Sequence, residues 1–300
     1  MTREQYLKNL EAPKGRVSVI LDTDTYNEVD DQYALAYAML SPDKVKLLAI
    51  TAAPFLNSRS VSPADGMEKS YPEALRVRGR ADADSDIPVY RGATRFMTSK
   101  TDVVESEAVD TIIKLVRESE ETVYIVAIGA ITNGASALVK APDIAEKAVL
   151  VWLGGHAQHW KDNKEFNLYQ DVPGAQVVFD SKIPFIQIPC NGVCSAFHTT
   201  LPELNYYLKG KNALCDYLLE VSADYMGNKP ARSKVIWDVT AVAALVYPET
   251  LDMVQIPRPI ITNNSNYAYD MGRPHFLYVR HINRDKLYAD LFEKLASVKN

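Results

Sequence analysis

Arg16–Asp31 reads RVSVILDTDTYNEVDD, and the fold turns on how this stretch changes character. Val17 to Leu21 is apolar and rich in β-branched residues, the pattern of a strand covered on both faces. Five carboxylates follow within ten residues, at Asp22, Asp24, Glu28, Asp30 and Asp31. From Asp31 to Leu40, DQYALAYAML has helical spacing, so the strand passes through an acidic loop into a helix. The same alternation continues outward. VKLLAIT (45–51), TVYIVAIG (122–129), AVLVWLGG (148–155) and PFIQIPC (184–190) read as buried strands, with shorter or later ones at 87–90 and 275–282. Helices are expected over 67–77, 105–117, from 130 through Leu138, and over 174–179, 214–226, 239–245 and 284–298. Apolar strands alternating with helices predict a single α/β domain over 1–300, with a mostly parallel central sheet and helices on both faces. Irregular inserts are expected near 53–66, 156–166 and 227–236. In such sheets the chemistry gathers at the carboxyl ends of the strands.

Composition removes several function classes. The 33 Lys and Arg against 38 Asp and Glu give a net charge of −5, which disfavours nucleic acid as a partner. No window approaches the ~18 apolar residues that span a bilayer, so no membrane partner is expected. The start, MTREQYLKNLEAPKGR, reads as a short surface helix stopped by Pro13 and Gly15, without the apolar stretch of a secretory signal. Cys190, Cys194 and Cys215 are odd in number and lack zinc-site spacing, which suits buried free thiols in a reducing cytoplasm.

The acidic stretch asks for a compensating charge. Asp22 and Asp24 share one face of a strand, and Asp30 and Asp31 open a helix. Carboxylates this close raise one another's pKa unless a cation or a positive dipole intervenes. The helix N-terminus supplies part of that charge. A hard divalent cation, Ca²⁺ or Mg²⁺, supplies more and takes oxygen ligands of this kind. Capping by Asp30 or Asp31 is the competing explanation, but it leaves the second Asp, and the pair ending the strand, without a purpose.

The cluster resembles the DxDxxxDD signature of the calcium-dependent, inosine/uridine-preferring nucleoside hydrolases, and four further pieces follow in that family's order. Asn57 stands after the second strand, in the place of a ribose-contacting Asn. Ile128–Asn133, IGAITN, resembles the xGPLTN turn whose first residue lends a carbonyl to calcium. Gly154-Gly155 followed by Glu165-Phe166-Asn167 resembles the GG…EFN segment, and Val235–Asp238 stands where the last metal-binding Asp begins a helix. The resemblance implies a nucleoside hydrolase-like, Rossmann-like fold and hydrolysis of ribonucleosides to ribose and free base. It implies a Ca²⁺ cofactor held by Asp24, Asp31, Asp238 and the carbonyl of Ile128, with Asp24 taking the proton of the attacking water. Asp30, Asn57, Glu165 and Asn167 would bind the ribose. Members often assemble as dimers or tetramers, so a cytoplasmic homo-oligomer is expected. The sequence departs from DTDPGxDD in a loop, Thr25–Val29, that is two residues longer, and its interval from GG to EFN is shorter.

Several residues carry two readings. Trp237 stands where the inosine-uridine type has His; it is either core or a platform for the leaving base, as in purine-preferring members, which points to purine ribonucleosides. Trp160 is a second stacking candidate. His156 and His159 are candidate leaving-group acids or solvated loop residues, and His159 or Asn163 could stand in for a missing ribose-contacting Asn. Arg59, Arg232 and Lys234 could recognise a phosphate or form surface ion pairs. Asn133 reads as a cap or turn residue, and Asp22 as a support for the loop. Two alternatives remain. VILDTDT also resembles the haloacid-dehalogenase-like phosphohydrolases, with Asp22 as nucleophile, and a non-catalytic nucleoside- or sugar-binding protein could use the same scaffold.

Overall fold

The computed structural model describes residues 1–82, 84–227 and 229–299. Its strands are β1 (Val17–Thr23), β2 (Val45–Ala52), β3 (Val89–Arg91), β4 (Val123–Ala127), β5 (Ala148–Leu153), β6 (Phe185–Ile188), β7 (His198–Thr200), β8 (Ser233–Val235), β9 (Leu251–Pro257), β10 (Ile260–Ile261), β11 (Tyr267–Ala268) and β12 (His275–Ile282). Eight of them form the central sheet, in the order β3-β2-β1-β4-β5-β6-β12-β9. All neighbours run parallel except β12 and β9. β7 pairs with β8, and β10 with β11, as small antiparallel ladders.

Side-chain alternation explains why the strands are apolar throughout. Val19 and Leu21 of β1, Tyr124 and Val126 of β4, and Val149 and Val151 of β5 enter one core. Ile20, Ile125, Leu150 and Trp152 enter the other. Helices Asp30–Met39, Val239–Val246 and Arg284–Ala296 cover the first face; Glu107–Glu118, Thr132–Lys140 and Val172–Asp180 cover the second. The central strands are thus wrapped on both sides, as parallel sheets require.

The chain runs outward from β1 in both directions, through β2 to β3 and through β4 to β6. The crevice of such a sheet opens where the direction reverses, beyond the carboxyl ends of β1 and β4. Asp24 and Ile128 follow those two ends directly.

Several elements differ from the sequence expectation. Helix Pro63–Ala81 begins inside the segment expected to be a loop; Ser62 caps it by accepting from Asp65 N at 3.1 Å, and Pro63 takes the first turn. Leu201–Leu208 is helical, capped by Thr200 with Pro in its first turn. β9 was without an element in the sequence reading, because an edge strand that is half exposed and ends in Pro257 has no continuous apolar run. No helix among the described residues is long and apolar enough to cross a membrane.

Candidate active site

At the end of β1 the two carboxylates have opposite fates. Asp22 Oδ1 accepts from Thr51 Oγ1 at 2.6 Å and from Asn133 Nδ2 at 2.8 Å. Burial still pushes its carboxyl up to about 6. Asn133 also accepts from Ala93 N at 2.8 Å and donates to Ala52 O at 3.2 Å, so it is a buried clamp between strand ends, not a cap or turn residue. Asp22 ties β1 to β2 and to helix Thr132–Lys140. Asp24 is fully buried, and neither of its carboxylate oxygens has a hydrogen-bond partner. Burial, then the charges of Asp31, Asp30 and Glu28, push its pKa well above the usual carboxylate range. Gly129 makes room for it: a Cβ there would stand 3.0 Å from Asp24 Cγ and 3.1 Å from Ala53 Cβ.

Capping does not account for the other aspartates. Val29 occupies the N-cap of helix Asp30–Met39, with no side-chain cap bond. Asp238 occupies the N-cap of helix Val239–Val246, yet its carboxylate makes no cap bond either. Asp30, Asp31 and Asp238 instead converge, each offering an oxygen within 4.8 Å of the others. Thr23 Oγ1 donates to Asp31 Oδ1 at 2.5 Å. Burial and the neighbouring Asp30 charge raise Asp31 to about 7, and burial with Asp30, Asp31 and Asp24 raises Asp238 well above its ordinary value. Glu28 is the exception. Burial would raise it, but Lys234, the Tyr225 hydroxyl and Arg59 bring it below the usual range.

Asp30 and Asp238 line a cavity of about 280 Å³ with Asn27, Glu28, Ile128, His156, Glu165, Asn167, Cys190, Asn191 and Trp237. Asp24 and Asp31 are more deeply buried and do not line it. A larger groove of about 1020 Å³, between the N-terminal helix and residues 138–146, carries none of this acidic cluster.

Glu165 is tied to backbone: Oε2 accepts from Gly155 N at 2.8 Å and Leu168 N at 2.9 Å, and Oε1 from Asn167 N at 2.9 Å. It therefore caps the short helix Phe166–Gln170 and fixes the turn after β5. Gly155 has φ +78° there, and a Cβ would stand 2.3 Å from Tyr267 Oη. Asn167 Nδ2 donates to Ile128 O and Leu153 O, both at 3.0 Å, which leaves its Oδ1 as the free acceptor. Trp237 is half-buried, packed on the core with one side and lining the cavity with another.

Asn57 is not among the residues that line the cavity. Its Nδ2 donates to Asn27 Oδ1 at 2.5 Å, and Asn27 is the amide on the wall. Asn27, in the longer loop, thus links Asn57 to the cavity wall. His156 lines it, accepting from Asn191 N at its Nδ1 at 3.3 Å, and burial lowers its pKa. His159 and Trp160 do not line it. Asn163 is a brace, accepting from His156 N at 2.7 Å and donating to Ser265 O at 2.8 Å. Arg59 and Arg232 spend guanidinium hydrogens on the carbonyls of Glu28 and Met226. Lys234 is neither a surface ion pair nor a free phosphate ligand; it is buried against Glu28 and Asp30. The sequence reading did not single out Tyr225 or Asn191, and it took Cys190 only as a buried thiol and Asn27 only as part of the lengthened loop. Nothing in the spacing of Tyr225, Cys190 or Asn191 signals a site.

These features define an α/β protein with a buried oxyanion cluster at the carboxyl edge of a parallel sheet, beneath a small polar cavity. Residues 19–288 match the model of the inosine-uridine preferring nucleoside hydrolases, and the chain belongs to that family. It is 30% identical over 193 residues to the pyrimidine-specific ribonucleoside hydrolase RihA of Escherichia coli O1:K1, across 56% of this chain and 58% of that one. An uncharacterised protein of Schizosaccharomyces pombe is 29% identical over 215 residues, 63% of this chain and 65% of that one. The match thus spans about three-fifths of the length of these curated relatives. Among solved structures, a plant nucleoside hydrolase shares the fold with a TM-score of 0.77 at 20% identity, over 94% of this chain and 99% of that one. A purine-preferring ribonucleoside hydrolase from Gardnerella vaginalis matches with 0.77 at 21%, over 94% and 98%. Family membership sets aside the phosphohydrolase alternative.

Proposed function

We propose that the chain hydrolyses the N-glycosidic bond of ribonucleosides, giving ribose and the free base. The observation that carries this reading is Asp24, a fully buried carboxylate with two unpartnered oxygens beside three further aspartates. The donor set suits a hard divalent cation, which we take to be Ca²⁺: carboxylates of Asp24, Asp31 and Asp238, with the carbonyl of Ile128. When bound, Ca²⁺ would neutralise these carboxylates and make a neighbouring water more acidic. Asp24 accepts the proton of the attacking water. The water oxygen bonds to the anomeric carbon as the bond to the base nitrogen breaks, and the base leaves with the electron pair and takes up a proton. Asp30, Glu165 and Asn167 accept from ribose hydroxyls, bonds that strengthen as the sugar becomes cationic. Asn27, oriented by Asn57, takes the place expected for Asn57 itself. We assign protonation of the leaving base to His156, which lines the cavity beside Asn191.

Free-ribose release from a panel of purine and pyrimidine ribonucleosides, before and after EGTA and Ca²⁺ re-addition, tests the reading. Loss with EGTA and recovery with Ca²⁺ are expected. Ligand binding with no release from any nucleoside would turn the site into a binding pocket. Trp237 favours purines because a flat indole at the cavity wall stacks best on the larger base. Stacking contributes ~1–3 kcal/mol per base. Trp237→Ala is therefore expected to lower kcat/KM for inosine about tenfold or more and for uridine much less; equal losses would remove Trp237 from base selection.

A further inference from the structure

A buried ammonium stands inside the acidic cluster. Lys234 lies in β8 and is only 7% exposed. Its Nζ is 2.5 Å from Glu28 Oε2, 3.0 Å from Asp30 Oδ1 and 2.7 Å from Val235 O, so its three hydrogens are all used. Glu28 is fixed in turn. Its Oε1 accepts from Tyr225 Oη at 2.7 Å, and its backbone carbonyl accepts from Arg59 Nη1 at 2.8 Å. Glu28 belongs to the lengthened loop, so that loop is what anchors the lysine. Asp30 and Glu28 line the cavity and Lys234 does not, so the ammonium meets Asp30 from behind the wall.

Distance alone leaves Asp30 eligible as a cation ligand together with Asp31 and Asp238. Lys234 forms an ion pair with Asp30 and with neither Asp31 nor Asp238 among the described residues. Asp24 has no hydrogen-bond partner, and Asp31 Oδ1 has a neutral hydroxyl from Thr23, but Asp30 Oδ1 faces a fixed positive charge. A divalent cation drawn onto Asp30 would be brought against that ammonium in a buried setting, where like charges repel strongly. A sugar hydroxyl brings no net charge and meets no such penalty. We infer that Lys234 is a positioning residue whose ammonium keeps Asp30 out of the cation's ligand set and reserves it for the ribose hydroxyls. The sugar half of this statement rests on the ribonucleoside reading above; the cation half does not.

The test is calorimetric titration of Ca²⁺, and separately Mg²⁺, into the metal-depleted parent, Lys234→Met, Lys234→Gln and Lys234→Arg. Gln keeps hydrogen-bonding capacity without the charge, and Arg keeps the charge. Both neutral variants are expected to bind the cation tighter by about tenfold or more, because a like charge is gone and Asp30 joins the ligands. Arg is expected to stay within about twofold of the parent, since its charge remains. With the cation saturating, KM for inosine should rise about tenfold in the neutral variants while kcat moves less, the sign of lost ground-state contact. A purely structural role would weaken both cation and substrate binding. Unchanged or weaker cation binding in folded neutral variants overturns the inference, as does a parent that binds neither cation. A fold that survives only with Arg assigns Lys234 to stability and overturns it too. Should the parent release no ribose at all, the ribonucleoside reading fails, while tighter cation binding in the neutral variants still supports the partition of ligands.

Discussion

Asp24→Asn is expected to abolish ribose release, by at least about 10³-fold in kcat/KM, and at the same time to raise the melting temperature of the metal-free protein. The two effects have one cause. Asp24 is fully buried with both oxygens unpartnered, in reach of three other acidic groups. An unpaired buried charge, or the proton forced onto it, costs stability, and a neutral amide of the same shape relieves much of that cost. A gain of about 1–3 kcal/mol corresponds to several degrees in a protein of this size. The same substitution removes the base that takes the water's proton, a role worth about 10²–10⁴ by itself, and a ligand of the cation as well. Thermal melts with EGTA and with Ca²⁺ separate the contributions: the parent should gain stability from Ca²⁺, and Asp24→Asn should gain little. Asp31→Ala should likewise lose both cation and turnover. Turnover that persists in chelated Asp31→Ala would take Asp31 out of the ligand set. An Asp24→Asn protein that melts lower than the parent under EGTA would mean that the carboxylate has a stabilising partner, and the account of the cluster would fail.

What could be read from the sequence was what local pattern controls. β1 and its acidic end were legible because a strand covered on both faces must be apolar, and the change to Asp22 and Asp24 marks its carboxyl end. Asp238 was legible by its place before an apolar helix. What escaped depends on contacts between distant residues. Lys234 meets Glu28 across 206 positions, and its burial cannot be inferred from the polar stretch around it. Asn57 holds the right place in the chain, but it is linked to the cavity wall through Asn27 of the longer Thr25–Val29 loop. Glu165 was read as a sugar ligand only; the structure adds that it caps Phe166–Gln170 and pins the turn at Gly155. Asn133 was read as a local turn residue, whereas its amide joins Asp22, Ala52 and Ala93, three segments that only the sheet brings together. Edge strand β9 escaped because its outer side needs no apolar cover.

The second large effect is in stability against pH. In the metal-free protein Asp31 is raised from 3.8 to about 7 and Asp22 to about 6, both by burial first, and Asp24 and Asp238 are raised well above the usual range. Between about pH 4 and 7 the native state therefore holds protons that the unfolded chain has released. The unfolding free energy must then fall as pH rises through this window, and what these groups contribute is intact only below it. At about 1.4 kcal/mol per pH unit, Asp31 and Asp22 each account for a few kcal/mol. Burial lowers the pKa of His156, so that one imidazole works the other way. Asp102 and Asp143, held down by Arg95 and Arg117, titrate below the window and do not oppose the trend. Under EGTA the melting temperature should thus drop from pH 5 to pH 8. A cation competes with those protons and adds RT ln(1 + [L]/Kd) to the stability, most where the carboxylates are ionised. Ca²⁺ should therefore raise the melting temperature far more at pH 8 than at pH 5. Asp22, Asp30, Glu165 and Asp171, all raised by burial, keep a residual slope with Ca²⁺ bound, and Asp22→Asn should reduce it. A chelated protein that grows more stable from pH 5 to pH 8 would show that the cluster is ionised without help, and nothing in it would then call for a cation.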